Sequence, residues 1–236
     1  MSRPIIGITA DNQNNTIDSG NYESALAYTR AVAEAGGSPV ILPHVIEAIP
    51  DYLAACHGFV LTGGGDPAME PFGEPTDPRT RQMAPTRQAF EFALLKALDE
   101  ATQPVLGVCL GMQLMSLHHG GRLFQRIEDV VPLPQRHDKN NLHPIAFEAD
   151  TPWLPRVEDV VVSSHRQAVS DAGTLTVLAR AEDNLIEAVE RTGPRFYLGV
   201  QWHPERGDDG PLSRGLFLKL MDQAQQQAQA TQSARG

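Results

Sequence analysis

Pro104-Val105-Leu106-Gly107-Val108-Cys109-Leu110-Gly111-Met112-Gln113 is the stretch on which the reading of this 236-residue chain turns. A short apolar run ends at Gly107, a single cysteine follows Val108, and a helix-compatible run begins at Leu110. Glycines stand two positions to either side of Cys109, giving G-x-C-x-G, the thiol counterpart of the G-x-S-x-G nucleophile elbow. Small flanking residues let a strand turn sharply into a helix and let neighbouring elements approach the bend. A thiol at a helix N-terminus meets unpaired N–H groups and the positive end of the helix dipole, which favours thiolate. The competing reading is a buried core cysteine, since unpaired cysteine often behaves as a small hydrophobe. The elbow alone does not separate the two, so the base must come from elsewhere in the chain.

Outward from the elbow, short apolar runs alternate with helical periods. Pro4-Ile5-Ile6-Gly7-Ile8-Thr9, Pro39-Val40-Ile41-Leu42-Pro43 and Gly58-Phe59-Val60-Leu61-Thr62 read as buried strands. Between them a helix starting at Asn21 or Ser24 runs to Ala35 before Gly36-Gly37, and a short helix covers 48–55. Residues 86–101 form an amphipathic helix with Phe90, Ala93, Leu94, Ala97 and Leu98 on its apolar face. Arg87 and Glu91, spaced i,i+4 on it, are expected to be a solvated surface pair. The alternation argues for an α/β fold with a parallel sheet covered on both faces. Further on, 175–181 and 186–190 read as two antiparallel strands, and 215–224 as a final helix. A single domain over 1–224 is expected, with the Gln/Ala-rich segment 225–236 an unstructured tail.

Two segments complete the elbow. Gly63-Gly64-Gly65-Asp66 leaves the third strand directly, where three glycines can turn successive N–H groups towards an anion or a developing oxyanion. A flexible turn is the alternative, but open α/β sheets bind ligands beyond the carboxyl ends of their strands. An acyl-transfer cysteine also needs a histidine and a group that orients it. At the end of the strand over 196–202, His203-Pro204-Glu205 supplies both within three residues, and Pro204 keeps His203 out of helical backbone.

Composition limits the partners. Net charge is −10, which disfavours nucleic acid and anionic membrane surfaces. Two cysteines, Cys56 and Cys109, make no disulfide framework or zinc-type spacing, and no targeting segment is evident, so a reducing cytoplasm is expected. His137 and His143 lie in a polar segment, 123–149, with no cysteine or carboxylate at a diagnostic spacing. They read as solvated loop histidines, and no metal or other cofactor is expected.

With these motifs in hand, the chain resembles the class I glutamine amidotransferases, and within them the γ-glutamyl-γ-aminobutyrate hydrolase and γ-glutamyl hydrolase branch. The resemblance runs from Pro4 to about Leu220. It rests on the first strand, Ala35-Gly36-Gly37-Ser38-Pro39-Val40, Leu61-Thr62-Gly63-Gly64-Gly65-Asp66, the elbow, Ser164-His165-Arg166-Gln167-Ala168-Val169 and Leu198-Gly199-Val200-Gln201-Trp202-His203-Pro204-Glu205. It implies a flavodoxin-like doubly wound fold and a triad of nucleophile Cys109, base and acid His203, and orienter Glu205. It also implies an oxyanion hole from the N–H of Leu110 and that of Gly64 or Gly65. Gln113, Ser164, His165, Arg166 and Gln167 match positions that hold the glutamyl α-amino and α-carboxylate groups. Many hydrolases of the branch carry arginine directly after the nucleophile and histidine at position 166; Leu110 and Arg166 stand there instead. The expected reaction is hydrolysis of a γ-glutamyl amide on a small-molecule substrate, with a homo-oligomer allowed. The alternatives are a glutaminase subunit feeding ammonia to a separate synthase, and a non-catalytic binding protein on the same scaffold.

Overall fold

Branched apolar runs too short for helices become strands, and amphipathic segments between them become covering helices. In the computed structural model the described residues are 3–12 and 20–233, the side chains of 231–233 excepted. The strands are β1 Ile5–Thr9, β2 Asp11–Asn12, β3 Tyr22–Glu23, β4 Ser38–Leu42, β5 Gly58–Leu61, β6 Val105–Val108, β7 Arg122–Phe124, β8 Asn141–Phe147, β9 Val160–Ser163, β10 Ala168–Asp171, β11 Thr176–Ala181, β12 Ile186–Glu190 and β13 Tyr197–Val200. The helices are α1 Leu26–Glu34, α2 Ile49–Ala55, α3 Pro85–Asp99, α4 Leu110–His118 and α5 Arg214–Ser233.

The main sheet runs β4-β1-β5-β6-β13-β12-β11-β8-β9. Its first five strands are parallel. From β12 onwards the pairing is antiparallel, with β10 and β7 branching from β12. The fold is therefore α/β, as expected, with a parallel half that carries the helices and an antiparallel arm. Side chains alternate across the strands: Phe59, Leu61 and Val105 pack with α2, α3 and α4, while Ile6, Ile8, Val60, Leu106 and Val108 face α1 and α5. Each face is apolar, so the parallel strands are buried on both sides. β1, β5, β6 and β13 deliver their carboxyl ends to one edge, where a doubly wound sheet gathers ligands.

Three expectations need correction. Helix α1 begins at Leu26 without a side-chain cap, because Tyr22 and Glu23 pair with Asn12 and Asp11 in a two-strand ribbon. The segment 225–233 continues α5 instead of forming a loose tail: Ala and Gln are sound helix formers, and Ala224 and Ala228 are buried on the apolar stripe begun by Leu216, Leu220 and Met221. Residues 234–236 of that expected tail lie outside the described residues. Arg87 and Glu91 are not a solvated pair; both side chains are fully buried, on the stripe that carries Phe90, Leu94 and Leu98. No described helix is long and apolar enough to cross a membrane.

Candidate active site

Cys109 occupies the turn between β6 and α4 with φ 53° and ψ −104°. Such backbone costs a non-glycine residue about 1–3 kcal/mol and persists only where its surroundings enforce it. Here the Cys109 N–H donates to the Val200 carbonyl at 2.8 Å, tying the elbow to the end of β13. Packing explains the flanking glycines: a Cβ at Gly111 would collide with the Leu61 carbonyl, and one at Gly107 with the Met115 sulfur. The strained turn presents a largely buried thiol at the start of α4.

His203 leaves β13 with its N–H on the Val162 carbonyl at 2.8 Å, and Pro204–Arg206 form a 3-10 turn. That turn folds Glu205 back, so that His203 Nδ1 meets Glu205 Oε1 at 2.7 Å with both side chains buried. Arg206 Nε approaches the same carboxylate oxygen at 3.2 Å. Burial pushes the His203 imidazole down, but the Cys109 side chain, through charge and a hydrogen bond, and then Glu205 outweigh it and raise the pKa to about 9. The structure thus brings Cys109, His203 and Glu205 together as the motifs anticipate.

The glycine loop lies opposite. Gly63 N–H donates to the Tyr28 hydroxyl at 2.9 Å. Among the described residues, the N–H groups of Gly64, Gly65 and Leu110 have no acceptor within the chain. The Leu110 side chain is buried beside Gly64, so only its backbone faces the cleft chemistry. Beneath the loop, Arg87 Nη2 donates to the Thr62 carbonyl at 3.1 Å, the Thr62 hydroxyl at 3.0 Å and the Gly63 carbonyl at 3.2 Å. Its Nε pairs with Glu91 Oε1 at 2.6 Å. A Cβ at Gly64 would strike this guanidinium. Arg87 and Glu91 hold the loop in shape, a role the sequence reading missed. The available signal was their spacing: positions 87, 91, 94 and 98 share one helical stripe.

A cleft of about 890 Å³ opens above Cys109, Leu110 and the 63–65 loop. Its rim mixes charges, with Asp11, Glu23, Asp66 and Asp138 against Arg79, Arg81, Arg126, Arg166 and Arg206. Ser164, Arg166 and Gln167 line it as expected, and both side-chain polar atoms of the buried Gln167 lack a protein partner. Arg166 is exposed and approaches Asp138 at 3.6 Å. Gln113 also lines it, but its amide nitrogen donates to the Gln167 carbonyl and to Gln201 Oε1, both at 3.1 Å. His165 departs further from expectation: Nδ1 donates to the Gln167 carbonyl at 2.8 Å and Nε2 points to Glu187 at 3.5 Å. His165 borders the cleft, but both of its ring nitrogens are directed into the protein. His137 and His143 are likewise not solvated; both are buried around the same Glu187, because the 3-10 turn Pro134–His137 packs on β8, and β8, paired with β11, turns its side chains to the same point as Glu187 of β12.

The profile of the peptidase C26 family matches residues 4–205. The glutamine amidotransferase-like protein YvdE of Lactococcus lactis is 35% identical over 85% of this chain and 90% of its own length. The γ-glutamyl-γ-aminobutyrate hydrolase of Escherichia coli O157:H7 is 29% identical over 92% of each. A solved GMP synthase-type protein from Thermoplasma acidophilum shares the fold with a TM-score of 0.68 at 16% identity, over 98% of this chain and all of its own. Matched over most of its length, the chain belongs to the peptidase C26 family of class I glutamine amidotransferase-like domains.

Proposed function

We propose that the chain hydrolyses γ-glutamyl amides through a thioester on Cys109. The observation that carries this is the meeting of a strained elbow cysteine with the buried His203–Glu205 pair under a cleft edged by unpartnered N–H groups. His203 takes the thiol proton, and Glu205 stabilises the imidazolium that results. The thiolate adds to the γ-carbonyl carbon, and charge moves onto the carbonyl oxygen. The Leu110 N–H and that of Gly64 or Gly65 would receive that charge, each such donor being worth about 2.7–4 kcal/mol in comparable enzymes. The C–N bond breaks as His203 returns its proton to the departing amine. A water then gives a proton to His203, adds to the thioester, and releases glutamate while Cys109 recovers its own proton.

The mixed rim suits the zwitterionic head of a glutamyl group, with Arg166 for the α-carboxylate and the acidic side chains for the α-amino group. The name of the Escherichia coli relative supports a γ-glutamyl amide. A second reading, a glutaminase supplying ammonia to a synthase partner, draws on Leu110 and on the amidotransferase-like relative. A panel of γ-glutamyl amides that includes glutamine, assayed for released glutamate, separates them. Turnover of γ-glutamyl-γ-aminobutyrate well above glutamine supports the hydrolase. Turnover of glutamine alone supports the ammonia supplier, and no turnover of any member removes both.

A further inference from the structure

Behind the cleft wall, four side chains from four separate segments converge on one buried point. His137 ends the 3-10 turn Pro134–His137, His143 lies on β8, His165 follows β9, and Glu187 lies on β12. All four are buried, Glu187 completely. Glu187 Oε1 is 3.5 Å from His137 Nδ1, 3.8 Å from His143 Nε2 and 3.5 Å from His165 Nε2. We propose that these four atoms form a closed site for a divalent transition-metal ion, with Zn2+ the best match to the donor set.

Donors and acceptors in the cluster do not balance without an ion. The far nitrogen of each ring already has an oxygen acceptor: Asp183 Oδ2 for His137 Nε2 at 2.8 Å, the Pro144 carbonyl for His143 Nδ1 at 3.0 Å, and the Gln167 carbonyl for His165 Nδ1 at 2.8 Å. Each of those nitrogens therefore carries a proton, and in the neutral form of a ring the inward nitrogen is a lone-pair donor. None of the inward nitrogens or Glu187 oxygens has a hydrogen-bond partner, and with the rings neutral three lone pairs face a carboxylate. Buried acceptors that face only one another are costly, and a single proton on Glu187 would satisfy one nitrogen and leave two. A dication satisfies all four at once.

The dimensions agree. The four donor atoms lie within 4.8 Å of one another. A tetrahedron with metal–ligand bonds of about 2.0–2.1 Å has edges of roughly 3.3–3.4 Å, so the carboxylate–imidazole distances of 3.5–3.8 Å need slight contraction, and imidazole pairs as far apart as 4.8 Å must draw together on binding. Three imidazoles and one carboxylate suit Zn2+ and its neighbours better than Mg2+ or Ca2+, which prefer all-oxygen shells. The Asp183 and carbonyl contacts are the outer-shell bonds that fix ring orientation in metal sites. Four protein ligands without an open position mark a structural site, one that would pin the 164–167 rim to the antiparallel arm.

The test uses the full chain without an affinity tag, carrying Cys109→Ser so that the thiol cannot bind metal. The purified protein is analysed for first-row transition metals, stripped with a chelator, and titrated with ZnCl2 and CoCl2. Expected are saturation at about one ion per chain, a melting temperature that climbs about 3–5 °C per tenfold excess of free Zn2+ over its dissociation constant, and the visible absorption of four-coordinate Co2+. His143→Gln should weaken Zn2+ binding by at least about 100-fold, and the outer-shell change Asp183→Asn by about 10–100-fold with the fold retained. A folded Cys109→Ser protein that takes up neither ion saturably overturns the site. So does Zn2+ affinity unchanged in Asp183→Asn together with any folded His143 variant.

Discussion

Replace Arg87 with methionine, and two separate consequences follow from its position beneath the 63–65 loop. The side chain is fully buried, and so is its partner Glu91, so the substitution leaves a carboxylate with no counter-charge in the interior. Breaking a buried pair from one side costs about 3–5 kcal/mol, while replacing both partners by apolar groups of similar volume is often close to neutral. Arg87→Met should therefore lose about 3–5 kcal/mol in urea unfolding, and Arg87→Met/Glu91→Leu should recover most of it. Catalysis should not recover. The guanidinium is the donor for the Thr62 and Gly63 carbonyls, and the loop loses that restraint in both variants. Misplacing catalytic groups by about 1 Å costs about 100-fold, so kcat should fall by that order in single and double variants alike. Unfolding curves and glutamate release on one preparation of each protein read the two effects separately. A double variant that is stable and fully active would refute the claim that Arg87 shapes the loop.

Further outcomes follow from the same geometry. Cys109→Ser should reduce turnover by about 10⁴-fold or more with its melting temperature little changed; activity near wild type would remove the thioester. Glu205→Gln should lower kcat by about 10²–10⁴-fold while the protein stays folded, measurable by pre-steady-state glutamate release. The His203 imidazole is held at about 9 against an ordinary 6.5, so the stability it contributes is complete below pH about 6.5 and disappears as the pH rises through 9. Urea unfolding from pH 6 to 10 should show that loss in the wild type and not in His203→Gln; parallel profiles would contradict it. Gly111→Ala, whose methyl would meet the Leu61 carbonyl, should cost about 1–3 kcal/mol, or about 2–12 °C in melting temperature by calorimetry.

What was legible in the sequence is what depends on neighbours along the chain. Apolar runs of strand length between amphipathic helical periods announce a parallel α/β sheet wherever they occur, because each element must bury its own face. The elbow glycines around Cys109 and the three-residue His203-Pro204-Glu205 unit are local for the same reason: a sharp turn and a side chain reaching two residues along need nothing distant. Other features depended on partners the sequence does not bring side by side. Arg87 and Glu91 look like an exposed helix pair until the Thr62 and Gly63 carbonyls arrive from β5 to bury them. The segment after Ala224 looks like a loose tail until α5 continues through it and buries Ala228. His137, His143, His165 and Glu187 are spread over about fifty residues with no diagnostic spacing, and only the antiparallel arm, folding a 3-10 turn, a loop and two strands onto one point, makes them a cluster. Local chemistry is written in order along the chain; buried charges and lone pairs acquire meaning only when the tertiary fold removes the water around them.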